Sequence, residues 1–217
     1  MSSFSRERTP SQWIALAKFL AWFTILYNLV EGMVSMGFGA ADESLALFGF
    51  GADSFIEVGS AILILWRLGT SGCETTRLKR ERKATQGIAL LLILLALFTI
   101  LGALWRLWTR QHPDTTLPGV IISLASLSFM YGLWASKKRC AAALDSRALA
   151  SDAACSLACM QLSAVLLLGS LAFLILPGLW WIDSVAALAI GAFILKEGWG
   201  SLRAARHPDF SGGCGCH

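Results

Sequence analysis

Asp53 and Glu57 stand four residues apart in one hydrophobic stretch, and Cys155 and Cys159 stand four apart in another. In an α-helix that spacing turns both members of a pair toward one face. Asp152 precedes Cys155 by about one turn, and Glu31 follows Asn28 and Tyr27 by about one turn in a third apolar stretch. Carboxylate oxygens and thiolate sulfurs are metal-ligand atoms. Carboxylates alone suit Mn, Mg or Ca, whereas thiolates favour Zn(II), Cd(II), Hg(II) or Cu(I). Two oxygens and two sulfurs in a tetrahedral cage would suit zinc or cadmium. Binding would displace thiol protons and make affinity pH-dependent. A buried cysteine also serves as a small apolar filler, and that reading stays open for Cys155 and Cys159. Glu31 reads equally as a ligand, a proton relay or a structural group.

These residues lie where charge is costly. The chain is 56% hydrophobic and 15% charged, with a mean hydropathy of +0.63, which excludes an ordinary soluble domain. Six apolar segments, 13–37, 44–68, 84–108, 117–136, 147–176 and 179–201, are each long enough to cross about 30 Å of hydrocarbon. Segment five is expected to end or kink at Pro177-Gly178. An ionisable side chain at the middle of such a span costs about 2.5–3.5 kcal/mol on insertion scales. Glu31, Asp53, Glu57 and Asp152 are expected to have no Lys or Arg at comparable depth. They must then be protonated or hold a cation, and a site alternating between those states exchanges metal for protons.

The expected fold class is an all-α membrane protein with six transmembrane helices. Residues 1–12 form a polar leader, 13–204 the membrane domain and 205–217 a Cys/His tail. The first apolar segment is too long for a signal-peptide core and is taken as a retained helix. Basic residues cluster in the leader (Arg6, Arg8), between segments two and three (Arg77, Lys79, Arg80, Arg82, Lys83), between four and five (Lys137, Lys138, Arg139) and after six (Arg203, Arg206). The positive-inside rule then puts both termini in the cytoplasm. That placement accounts for the net charge of +4 without a nucleic-acid partner. No cysteine falls in an expected exterior loop, so structural disulfides are not expected. In the tail, Cys214, Cys216 and His217 sit among glycines and can wrap one soft metal ion. A tail with incidental cysteines is the other reading.

A shift of 102 residues aligns Ser44-x-Ala46-Leu47 with Ser146-x-Ala148-Leu149, Asp53-Ser54 with Cys155-Ser156, and Glu57 with Cys159. Segments two and five cross in opposite directions, so the echo resembles a 3+3 inverted repeat. Chance similarity between two small-residue-rich helices also explains it.

The run Asn28-x-x-Glu31-Gly32, then Ser44-Leu45-Ala46-Leu47-x-Gly49-x-Gly51-x-Asp53-Ser54-x-Ile56-Glu57, resembles the first two helices of the cation diffusion facilitator superfamily. Ser151-Asp152-Ala153-x-Cys155-Ser156-x-x-Cys159 and Trp181-Ile182-Asp183-Ser184-x-Ala186-Ala187-Leu188 resemble its helices five and six. The likeness is to a compact branch that has the six helices without the usual C-terminal metal-binding domain. It implies a homodimeric exporter of Zn(II) or similar ions in the cell membrane, with its site on helices two and five. Asp53 and Glu57 match the first ligand pair, with Glu for the second Asp. Cys155 and Cys159 stand where the superfamily usually has His and Asp.

The resulting expectation is a proton-coupled exporter of zinc or cadmium, with no prosthetic group. No nucleotide-binding G-x-x-x-x-G-K-[ST] motif occurs. A metal-binding accessory or sensor that does not transport is the alternative. A thiol oxidoreductase is disfavoured because C-x-x-x-C is not the redox C-x-x-C spacing.

Overall fold

The structure, a computed structural model, describes residues 9–41, 45–69, 73–110, 117–175 and 181–212. Six α-helices account for nearly all of them: α1 Pro10–Ala41, α2 Leu45–Leu68, α3 Glu74–Thr109, α4 Leu117–Ala143, α5 Arg147–Ile175 and α6 Ile182–Arg206. No strand occurs among the described residues. The stretches Pro10–Phe38, Glu74–Thr109, Arg147–Val165 and Ser184–Arg206 are each long and apolar enough to span a membrane. A helix is the form such a chain must take in hydrocarbon, where every backbone N–H and C=O needs a partner inside the segment.

Two helices run past the apolar boundaries. α3 begins at Glu74, so Arg77, Lys79, Arg80, Arg82 and Lys83 lie on a helix and not in the loop expected from the apolar pattern. α4 continues to Ala143 and takes in Lys137, Lys138 and Arg139. The physical reason is that hydropathy marks the hydrocarbon-crossing length, while Lys, Arg and Glu are good helix formers beyond it. Likewise α6 is shifted, from the expected 179–201 to Ile182–Arg206. Pro177-Gly178 lies outside the described residues, as do Cys214, Cys216 and His217.

α1 packs most extensively on α2, α3 on α6 and α4 on α5, and α2 also meets α5. Where α1 crosses α2, a Cβ on Gly51 would come within 2.8 Å of the Gly32 carbonyl oxygen. Only glycine allows this approach, which sets Glu31 beside α2. α4 and α5 are joined by the short turn 144–146, where Asp145 takes a left-handed backbone (φ 43°) that Asp tolerates better than most side chains.

The basic ends of the helices are tied together by Glu81 of α3, which is buried. It pairs with Arg67 of α2 and accepts hydrogen bonds from Ser146 Oγ at 2.6 Å and the Ala148 N–H at 2.9 Å. Residues 207–212 fold back over this end. Arg82 donates to the carbonyls of His207 and Pro208, and the Arg147 N–H donates to the Gly212 carbonyl. The core beneath is lined by small and aliphatic residues, among them Ala61, Ile64, Ile88, Leu92 and Leu149.

Candidate functional site

The α2–α5 contact is a ladder of polar pairs. Ser60 Oγ donates to Asp152 Oδ1 at 2.6 Å. Toward the other end of the bundle, Ser156 Oγ donates to Glu57 Oε1. Next, Cys159 lies beside the Asp53 carboxylate. The helices run antiparallel here, so each turn forward on α2 meets a turn back on α5. Cys155 lies within the same electrostatic neighbourhood, close to Glu57, Asp152 and Asp53. Glu57 and Cys155 are 0% exposed, Asp152 1%, Cys159 4% and Asp53 6%. All five of these side chains are therefore interior and lie along one α2–α5 contact.

The expectation that no basic group accompanies these acids is overturned. Lys137 of α4 is 1% exposed, and its Nζ lies 3.2 Å from Asp152 Oδ2 and 3.5 Å from Glu57 Oε1. It also donates to Ser156 Oγ at 2.9 Å. The cause is the extra length of α4. With the helix unbroken, Lys137 continues the buried stripe Ser126, Met130, Leu133, Lys137, Cys140 and Ala141, whose three- and four-residue steps define one helix face. That periodicity is readable in the sequence and would have identified Lys137 as an inward-facing residue.

Glu31 is joined to the same region from α1. Tyr27 Oη donates to Glu31 Oε1 at 2.9 Å and Ser54 Oγ to Oε2 at 3.2 Å. Neither Glu31 nor Asp53 has an ion-pair partner among the described residues. Three buried acceptor oxygens here, Asn28 Oδ1, Asp53 Oδ1 and Glu57 Oε2, have no hydrogen-bond partner within the described residues. An orphaned buried acceptor is costly, and a cation or a proton is what would satisfy it.

In this arrangement no three His, Cys, Asp or Glu side chains among the described residues converge to hold one ion. The Lys137 ammonium and the Ser156 hydroxyl stand between the Glu57 and Asp152 carboxylates. A separate cavity of about 440 Å³ lies between α4, α5 and α6, lined by Trp134, Lys138, Arg147, Gln161 and Glu197 among others. None of the α2 acids lines it, and it is distinct from the ladder.

The acid–thiol cluster offers hard and soft donor atoms on two facing helices, with an ammonium of the protein's own at one end. The family model for the cation efflux transmembrane domain matches residues 84–207. That is more than half of the chain, and it takes in α5 with Asp152, Cys155 and Cys159 as well as Lys137.

Proposed function

The chain belongs to the cation efflux family of membrane cation transporters, and from that premise we propose that it exports zinc or cadmium from the cytoplasm in exchange for protons. Asp53 and Glu57 on α2 and Cys155 and Cys159 on α5 are the ligands in this reading, with Asp152 at the inner end. The observation that carries it is the facing of the two pairs across one buried contact, with Asp53 Oδ1 and Glu57 Oε2 unpartnered among the described residues. Carboxylate with thiolate is the donor mixture that borderline divalent ions prefer. Alternation between proton and metal on Asp53 and Glu31, the acids with no ammonium beside them, supplies the coupling.

Both termini are cytoplasmic in this reading, the basic helix ends facing inward. Cys214, Cys216 and His217 collect metal before export. A homodimer in the cell membrane follows from the likeness to the superfamily, and α2 and α5 act as the central pair of a 3+3 inverted repeat.

The buried Lys137 ion pairs favour a second reading, in which the cluster is a fixed polar clamp and the protein binds metal without moving it. Proteoliposomes loaded with a zinc-responsive dye separate the two. Inward-directed zinc and cadmium flux that rises with an opposing pH gradient supports export by antiport. Binding without flux supports the clamp. Cys155→Ser and Cys159→Ser are expected to lower the preference for cadmium over manganese, and unchanged preference would reduce the thiols to packing.

A further inference from the structure

Lys137 places a cation of the protein's own inside the acid–thiol cluster. Its ammonium has three N–H donors, and three oxygens from α2 and α5 surround it: Asp152 Oδ2, Glu57 Oε1 and Ser156 Oγ. Ser156 in turn donates to Glu57, and Ser60 holds the other oxygen of Asp152. The acids are thus organised around a positive charge. A divalent ion bound to Glu57 would lie within a few ångströms of that ammonium, where like charges repel strongly in a buried setting. Glu57 Oε2 is unpartnered among the described residues, so a metal there and the ammonium on Oε1 would compete across one carboxylate.

Lys137 also has somewhere to go. It sits near the end of α4, and the next residues, Lys138 and Arg139, are exposed. A lysine stem is flexible, so rotamer changes alone can move its head off Glu57 toward that end of the helix.

Resting on the transport reading above, we propose that Lys137 is a tethered competitor of the transported cation. Its ammonium occupies Glu57 and Asp152 between transport events. Metal binding releases it from Glu57, and its return as the metal leaves speeds unloading and offsets part of the acids' charge.

Zinc affinity of the purified full-length protein, measured by equilibrium dialysis, and zinc flux in proteoliposomes test this. Lys137→Met is expected to tighten zinc binding by about tenfold or more, because the competing charge is gone, while slowing flux. Lys137→Arg keeps the charge and is expected not to tighten binding. Unchanged or weaker binding by folded Lys137→Met overturns the competitor role alone. Absence of zinc binding by wild type overturns the transport-site reading itself. Should Lys137→Met fail to fold, wild type still decides. Zinc is expected to increase acylation of Lys137 by a membrane-permeant amine reagent, located by peptide mass spectrometry, and acylation that stays level or falls with zinc overturns the proposal.

Discussion

Consider the replacement Asp53→Asn, which keeps the size and shape of the side chain and removes its charge. Asp53 is 6% exposed, touches Cys159, and leaves Oδ1 without a hydrogen-bond partner among the described residues. No cavity opens, so the packing cost of a large-to-small change is absent. At most one net hydrogen bond is at stake, about 0.5–1.5 kcal/mol. Glu57→Gln differs, because it takes a carboxylate from a buried ammonium, a type of change that costs about 3–5 kcal/mol. Outer-shell partners of metal ligands already cost about 10–100-fold when lost, so a direct charged ligand should cost at least about 100-fold in affinity. The assays are zinc flux in proteoliposomes and thermal unfolding of the detergent-solubilised protein in the presence of a chelator. Asp53→Asn is expected to lose flux with an unfolding temperature close to wild type. Flux within a few-fold of wild type, or loss of flux that merely follows loss of the folded state, would refute a ligand role for Asp53.

The hub at the basic end can be probed through Glu81→Ala, which strips partners from Arg67, Ser146 Oγ and the Ala148 N–H together. It is expected to destabilise by about 3 kcal/mol or more, read as a lowered unfolding temperature, and a loss below about 1 kcal/mol would argue against the hub. At the α1–α2 crossing, Gly51→Ala is expected to cost about 1–3 kcal/mol by overpacking, because its Cβ would press on Gly32 and Met36. Gly37→Ala, with nothing within 4 Å of a new Cβ, should be neutral or stabilising in the same thermal assay. Cys73 is exposed, and hydrogen bonds from the Thr75 backbone and side chain hold its thiol below the ordinary range. Its thiolate is therefore present at lower pH than that of an unperturbed cysteine, and maleimide near neutral pH should modify Cys73 well before the buried Cys140, Cys155 and Cys159.

The sequence pattern revealed much of this fold because a membrane leaves few choices. Apolar runs of bilayer length must be helices, and six runs give six helices. The interior positions of Asp53, Glu57, Asp152, Cys155 and Cys159 followed from the same logic, since polar groups in such helices turn inward. The misplacement of Lys137 came from reading basic residues only as topology markers, a reading that does not single out Glu81 at all. Lys137 and Glu81 both lie beyond the apolar boundary, yet each continues a buried helical stripe. Lys137 is in step with Met130 and Leu133, and Glu81 with Thr85, Ile88 and Leu92. Periodicity carried past the end of the hydropathy window would have placed both. Their partners would still have been hidden, because no single sequence states which helix faces which.

The facing of α2 and α5 gives the i,i+4 pairs their consequence. Two antiparallel helices that cross near the middle of such pairs bring the first member of one opposite the second member of the other. Asp53 accordingly meets Cys159, and Glu57 falls to Ser156 with Cys155 nearby. The residues aligned by the 102-residue shift are therefore met crosswise. The ladder is not uniform in charge, however. At one end Asp152 and Glu57 share an ammonium, while at the other Asp53 has no ion-pair partner among the described residues. In the transport reading proposed above, a cation entering at the Lys137 end must first contend with that ammonium, and beyond it meets Asp53, which has no ion-pair partner among the described residues. In that reading the gradient in charge makes loading conditional on lysine release and lets Asp53 take a proton once the metal has passed. It gives the two acids of one helical turn different roles, so Glu57→Asp and Asp53→Glu should not be equivalent in flux.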